Sequence, residues 1–215
     1  MKRRSILVIT AVSVTTVLTF GLNLTARGAY ESAPYKVVRK DSEYEIREYP
    51  DLVLAETDSR VASNGRDGSF MKLFRYISGA NETNQKIAMT TPVFMEGGAN
   101  NKTASMGFVM PKSIAASGAP EPTGSGVVLA TRRGGRFAVI RFSGRMNSNL
   151  TQKNEQKLRN WMKENGIVGA DTADTAGYDA PFTPGPFRRN EVLIRIVEDA
   201  KAEDAQAGGS SQSVD

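Results

Sequence analysis

The side chains with chemistry to offer are few and of narrow type. Glu43, Glu45 and Glu48 sit close together, Arg75 and Arg188 each lie beside aromatic residues, and Met71, Met89, Met95, Met106, Met110, Met146 and Met162 supply thioethers. The chain has no His and no Cys. Ser-His-Asp catalysis, an imidazole base, a thiolate nucleophile, Cys- or His-ligated zinc, iron–sulfur clusters and His-ligated haem iron are therefore excluded. Reactions are left to carboxylates, Lys, Tyr, Met or a borrowed cofactor. No two acids are set apart by spacing as general acid and base, and the three glutamates read as the solvated edge of a strand. No glycine-rich phosphate loop follows a strand. Met106 and Met110 alternate as strand core, and Asn190-Glu191 reads as a turn before the last strand. Arg188 or Arg189 can pair with Glu191.

The elements that must position these residues belong to a chain of 215 residues, 40% hydrophobic and 24% charged. That length suits one domain, or two small ones, with enough chain to bury a substantial core. Residues 1–29 carry Lys2, Arg3, Arg4 and Arg27 with no acid, and the remainder holds 24 basic against 23 acidic residues. So balanced a body is no electrostatic footprint for nucleic acid. Met1-Lys2-Arg3-Arg4, an apolar run from Ile6 to Leu24 and small residues around Ala26, Gly28 and Ala29 have the layout of an export signal. The alternative is a retained N-terminal anchor, since the run approaches the roughly 20 residues that cross a bilayer. Either way the body is expected outside the cytoplasm, periplasmic or secreted, with membrane contact only through residues 1–29. Residues 198–215, acidic and then Gly/Ser-rich, read as a disordered tail, leaving 30–197 as the folded domain.

Within that domain, Tyr44–Tyr49 and Leu52–Thr57 read as a hairpin turning at Pro50-Asp51. Phe70, Met71, Leu73, Phe74 and Ile77 share one face of a helix, capped by Ser69 and ended at Gly79. Lys86–Thr91 is a strand stopped by Pro92, and Met106–Met110 is another. Residues 112–126 read as a connecting loop, after which the order recurs. Strands Val127–Thr131 and Arg136–Phe142 meet at the tight turn Gly134-Gly135. A helix starts near Asn149 and bears Leu150, Asn154, Leu158, Trp161 and Met162 on one face; a loop spans 167–187; the last strand is Val192–Val197. Two like halves of this kind give an α+β fold, one curved antiparallel sheet with two helices on it. Asn-X-Thr triplets begin at Asn81, Asn101 and Asn149, a spacing that chance also produces.

Three strings carry a resemblance. They are Tyr44-Glu45-Ile46-Arg47-Glu48-Tyr49; Phe74-Arg75-Tyr76-Ile77-Ser78-Gly79 with Asn81 and Gln85-Lys86-Ile87-Ala88-Met89-Thr90-Thr91-Pro92-Val93; and Tyr178-Asp179-Ala180-Pro181 with Arg188-Arg189-Asn190-Glu191-Val192. In this order they resemble the SOUL/haem-binding-protein family, from about Tyr35 to Ile196. The resemblance implies a distorted antiparallel β-barrel with two flanking helices, built from two pseudo-twofold-related halves. It also implies haem or another tetrapyrrole as a non-covalent ligand, in an apolar cleft beside the first helix and the loop before the last strand. The cleft would fall on Phe70, Met71, Phe74 and Arg75 of the helix and on Phe182, Pro184, Pro186, Phe187 and Arg188 of the loop. Leu73 and Ile77 would face the sheet, and Arg75 and Arg188 would meet the propionates. Some relatives are thought to ligate iron through histidine, a mode closed to this chain. What remains is apolar contact with the macrocycle, or ligation by Met, Tyr or Lys.

Three functions follow as expectations. The first is a non-enzymatic extracytoplasmic tetrapyrrole binder, acting as buffer, carrier or scavenger. The second is a general module for small apolar ligands. The third, ranked last for want of catalytic groups, is a tetrapyrrole-modifying enzyme.

Overall fold

The computed structural model describes residues 29–59, 68–97 and 104–197. The export segment, the C-terminal tail and Asn101 lie outside the described residues. Within them the strands are β1 (Glu31–Ser32), β2 (Lys36–Asp41), β3 (Tyr44–Tyr49), β4 (Leu52–Ser59), β5 (Thr90–Thr91), β6 (Val93–Glu96), β7 (Ala104–Val109), β8 (Val128–Arg132), β9 (Gly135–Phe142), β10 (Asp174–Gly177) and β11 (Asn190–Arg195). The α-helices are α1 (Ser69–Ile77), α2 (Lys112–Ser117) and α3 (Ser148–Glu164). Among the described residues, no helix is long and apolar enough to span a bilayer.

Nine strands form one antiparallel sheet in the order β2-β3-β9-β11-β10-β6-β7-β4-β8. The order gives the pseudo-twofold directly. Exchanging the half 44–109 with the half 128–195 maps β3 onto β8, β4 onto β9, β6 onto β10 and β7 onto β11, and returns the order of these eight strands read from the other end, β2 being an addition at one edge. The axis therefore passes between β6 and β10, which pair through Val93–Gly177 and Thr175–Met95. The sheet curls like a barrel but does not close, since β2 and β8 remain its edges.

The expected hairpins do not form. β3 pairs with β2 and β9, and β4 pairs with β7 and β8. The chain turns at Pro50-Asp51 and at Arg133-Gly134 to cross between distant parts of the curled sheet, so each half lends its first strand to the other. The strand expected over 86–91 shrinks to β5, which pairs in parallel with β1. Pro92 has no N–H for a ladder, and the sheet strand begins after it, at Val93. β10 and α2 fall in stretches read as loops, and β2 was not foreseen.

The pleat sorts side chains into three cores. Tyr49, Leu54, Phe94, Phe137 and Leu193 fill the concave interior. On the convex face Leu73, Tyr76 and Ile77 of α1 bury against Ala55, Met106 and Phe108. Leu158, Trp161 and Met162 of α3 bury against Ala138, Ile140, Val192 and Ile194. The single tryptophan stacks on Tyr44 at 5.0 Å and donates its indole N–H to Asp41 at 3.0 Å. Asn147 caps α3 by accepting from the Leu150 N–H at 2.9 Å. For α1 the expected cap is replaced: Gly68, at φ 84°, stands at the N-cap position, and the Ser69 hydroxyl lies 3.4 Å from that of Ser59.

Of the three glutamates expected to be solvated, Glu43 and Glu48 are exposed and Glu45 is not. β2 covers β3, and the pleat turns Glu45, Arg47 and Tyr49 to the concave side. Glu45 is buried and accepts from Arg47 at 2.7 Å.

Candidate functional site

Each long helix packs on two strands of its own half, α1 on β4 and β7 and α3 on β9 and β11. The two central strands, β6 and β10, lie between them on the convex face. Their outward residues are Val93 and Met95, both partly buried, with Thr175 and Gly177. This is the floor of a groove along the pseudo-twofold axis.

The first wall is a flank of α1. Successive residues turn by about 100°, which sets Phe70 and Phe74 on one flank and Lys72 on the other. The Lys72 stem runs beside Gly126, next to the outer strand β8. Phe70 meets Phe108 of β7 edge-on at 5.2 Å and stacks on Phe74 at 6.2 Å. The aromatic flank thus borders the groove. Met71 projects from the crest, 48% exposed, and Phe74 remains 44% exposed, while Leu73 and Ile77 are buried as expected. Arg75 is exposed and projects past the crest on the Lys72 side, away from the aromatic flank. Tyr76 is buried with its hydroxyl donating to the Pro120 carbonyl at 2.8 Å, which removes it from any ligand. Asn81 is buried too and bonds the Tyr76 and Gln85 carbonyls, so it organises the turn after α1 and is shielded from glycosylation. Asn149 is exposed in the first turn of α3.

The second wall comes from segments 143–147 and 181–188. The Gly144 N–H donates to the Gly185 carbonyl at 3.0 Å, and Asn190 donates to the Gly144 carbonyl at 2.8 Å. A Cβ at Gly177 would meet only the Met146 methyl, at 3.9 Å, so Met146 reaches the groove floor. Phe182 and Phe187 are 82% and 47% exposed, and Pro184 and Pro186 are exposed with them. Gly144 has φ 117°, and a Cβ there would stand 2.9 Å from Leu150. Gly144→Ala is expected to cost about 1–2 kcal/mol from the left-handed backbone alone, measured as a lower urea midpoint.

Arg188 departs from its expected role. Its guanidinium donates to the Thr183 carbonyl at 2.8 Å and to the Pro181 carbonyl, tying the loop to itself. Arg189 is likewise committed, to Glu191 at 2.7 Å and over the Tyr178 ring at 3.9 Å. These contacts belong to a buried charge cluster behind the second wall. Glu191, wholly buried, accepts two bonds from Arg47 at 2.7 and 3.0 Å and one from the Tyr178 hydroxyl at 3.0 Å. Burial pushes the Glu191 carboxyl up, but its bonds and charge contacts with Arg47 and Arg189 outweigh that and hold it below the ordinary carboxylate value. Tyr178 is pushed far up by burial, with Glu191 adding to the effect. The fixed-charge cluster positions the last strand and its loop. It holds no free acid or base. Among the described residues, no group of three or more acids is arranged to hold a metal.

Of two other hollows, the smaller cannot seat a macrocycle. One of about 120 Å³ lies at the sheet end, lined by Ala33, Leu52, Val53, Val109, Met110 and Ala115. Sites for drug-sized ligands run from about 300 Å³ upward. A shallow hollow of about 340 Å³ lies at the far end of α3, around Met162, Lys163, Ile167 and Val168.

Two like halves sharing one curled nine-stranded sheet, with a groove between their long helices, define an α+β class. Solved structures of this fold include the C-terminal domain of EcmrR, with a TM-score of 0.54 at 12% identity, covering 76% of this chain and 98% of that one. A hydrolase from Listeria innocua matches with a TM-score of 0.53 at 10% identity, covering 74% and 94%. At such identities the likeness is one of fold alone. The sequence is more specific. Residues 30–195 match the SOUL heme-binding protein family, and the chain belongs to it. Heme-binding protein 2 of Mus musculus is 29% identical over 170 residues, covering 75% of this chain and 82% of the relative. Heme-binding protein 2 of Homo sapiens is 30% identical over 178 residues, covering 79% and 86%.

Proposed function

We propose that this protein binds haem or a related tetrapyrrole non-covalently in the groove between α1 and the 143–147/181–188 wall, without a histidine bond to iron. The observation that carries the reading is an asymmetry between the two halves. The long helices are pseudo-equivalents, yet only α1 leaves large apolar side chains exposed, Met71 and Phe74. The exposed positions of α3 include Gln152, Lys153, Gln156, Lys157, Asn160 and Lys163, all polar. An aromatic flank, a thioether from Met146 and the exposed Phe182 and Phe187 suit a flat apolar ring, held by burial at about 25 cal/mol per Å². The residues present therefore fit the macrocycle, and the name carried by the mouse and human relatives supports haem as its form.

The role fitting this site is that of a buffer, carrier or scavenger rather than an enzyme. The buried charges behind the second wall are locked in ion pairs and hydrogen bonds, and none of them is poised for proton transfer. The charge layout of residues 1–29 supports a place outside the cytoplasm. Titration with haemin and with metal-free protoporphyrin tests the reading. Recognition of the ring predicts a shifted Soret band with haemin and affinities for the two within about threefold. A preference for haemin above about a hundredfold would mean the iron is the main contact. Binding of neither, alongside varied apolar dyes, would favour a general apolar-ligand module.

A further inference from the structure

We propose that Arg145, on the second wall, is the cation that anchors the acidic edge of the bound tetrapyrrole, in place of Arg75 and Arg188. The inference rests on the tetrapyrrole reading of the groove and names its charged contact. A macrocycle with carboxylate arms, laid on an apolar floor, needs a guanidinium or ammonium at the rim that is free to donate. Arg188 spends its donors on the Thr183 and Pro181 carbonyls. Arg189 spends its own on Glu191 and the Tyr35 hydroxyl. Arg75 leaves α1 on the side of the crest away from Phe70 and Phe74.

Arg145 meets both requirements. It is exposed, and its guanidinium makes no hydrogen bond or ion pair with any described residue. Its neighbour Met146 reaches the groove floor at Gly177. Its main chain is fixed against the aromatic loop, because a Cβ at Gly185 would stand 3.5 Å from the Arg145 nitrogen and 3.6 Å from its Cγ. The Gly144–Gly185 hydrogen bond beside it holds the two segments together. Arg145 is thus a free cation whose main chain is rooted between Met146 and the loop bearing Phe182 and Phe187.

The test uses the full chain with two probes, protoporphyrin IX and its dimethyl ester, which keeps the ring and loses both carboxylates. Arg145→Gln is expected to weaken protoporphyrin IX about tenfold and to leave the ester within about twofold, with Arg145→Lys recovering most of the loss. Unchanged binding of the diacid by Arg145→Gln would overturn the proposal, as would equal losses for diacid and ester. If the wild-type protein bound neither porphyrin, the tetrapyrrole reading itself would fall, and this anchor with it. If the wild type bound both, the Arg145 variants alone decide the anchor.

Discussion

Glu191→Ala is expected to cost about 3–5 kcal/mol of folding stability, the range for removing one partner of a buried ion pair. Glu191 is wholly buried and faces Arg47, which is buried with it, as well as Arg189. Its loss leaves the Arg47 guanidinium with Glu45, at 2.7 Å, as its one carboxylate partner beside the Tyr49 hydroxyl at 3.1 Å, and strips the Tyr178 hydroxyl of its acceptor. Glu191→Gln, which keeps the shape and one acceptor, should cost less. Urea unfolding at neutral pH measures both; a loss below about 1 kcal/mol for the alanine variant would show that the cluster relaxes or admits water. The same carboxylate sets an acid limit. Its value in the folded state lies below that in the unfolded chain, about 4.3, so the stability it contributes is fully present above that pH. It is lost as pH falls through the folded value. The wild type should therefore lose stability steeply below about pH 4, and Glu191→Gln should flatten that limb.

Much of this arrangement was legible in the chain because it rests on local periodicity. The α1 stripe divides as its spacing implies, with Leu73 and Ile77 inward and Phe74 outward. The repeated element order gives the pseudo-twofold. Pairing was not legible. Tyr44–Tyr49 and Leu52–Thr57 look like a hairpin because a two-residue turn joins them, and nothing local reveals that each pairs across the halves. β10 escaped for a different reason: Asp174-Thr175-Ala176-Gly177 offers one inward apolar residue, Ala176, and gains its strand character from β6 and β11 on either side. β2 is exposed along its whole length and so shows no alternation of apolar and polar residues.

The placement of the aromatic side chains was legible and the commitments of the charged ones were not, for one physical reason. An aromatic residue's place on a helix follows from its offset, whereas an arginine's availability depends on which carbonyls and carboxylates the fold brings within reach. Arg188 sits in the string that carries the family resemblance, yet the fold turns it inward onto Pro181 and Thr183. Arg145 lies in no such string, and only the contact between segments 143–147 and 181–188 sets it beside the aromatic loop. Glu45 shows the same limit from the other side, a strand glutamate that reads as solvated until β2 covers its neighbour.

A pair of adjacent substitutions on α1 separates ligand contact from core. Leu73→Ala deletes a side chain with no exposed surface and is expected to cost about 2–5 kcal/mol of stability. Phe74→Ala, one residue on, removes a ring that is 44% exposed and stacked on Phe70. Its stability cost should fall well below the roughly 3–5 kcal/mol of a fully buried Phe→Ala. Its effect on binding should be larger. A ring flank covering on the order of 50–100 Å² of macrocycle, at about 25 cal/mol per Å², is worth about 1–2.5 kcal/mol, so affinity should drop about tenfold or more. Because the contact is with the ring, haemin, protoporphyrin and the dimethyl ester should all weaken together, unlike the charge-selective loss expected at Arg145. Thermal unfolding and porphyrin titration of the two variants give the answer. Should Phe74→Ala unfold the chain as readily as Leu73→Ala, or bind every porphyrin like the wild type, the aromatic flank of α1 would be core rather than a ligand wall.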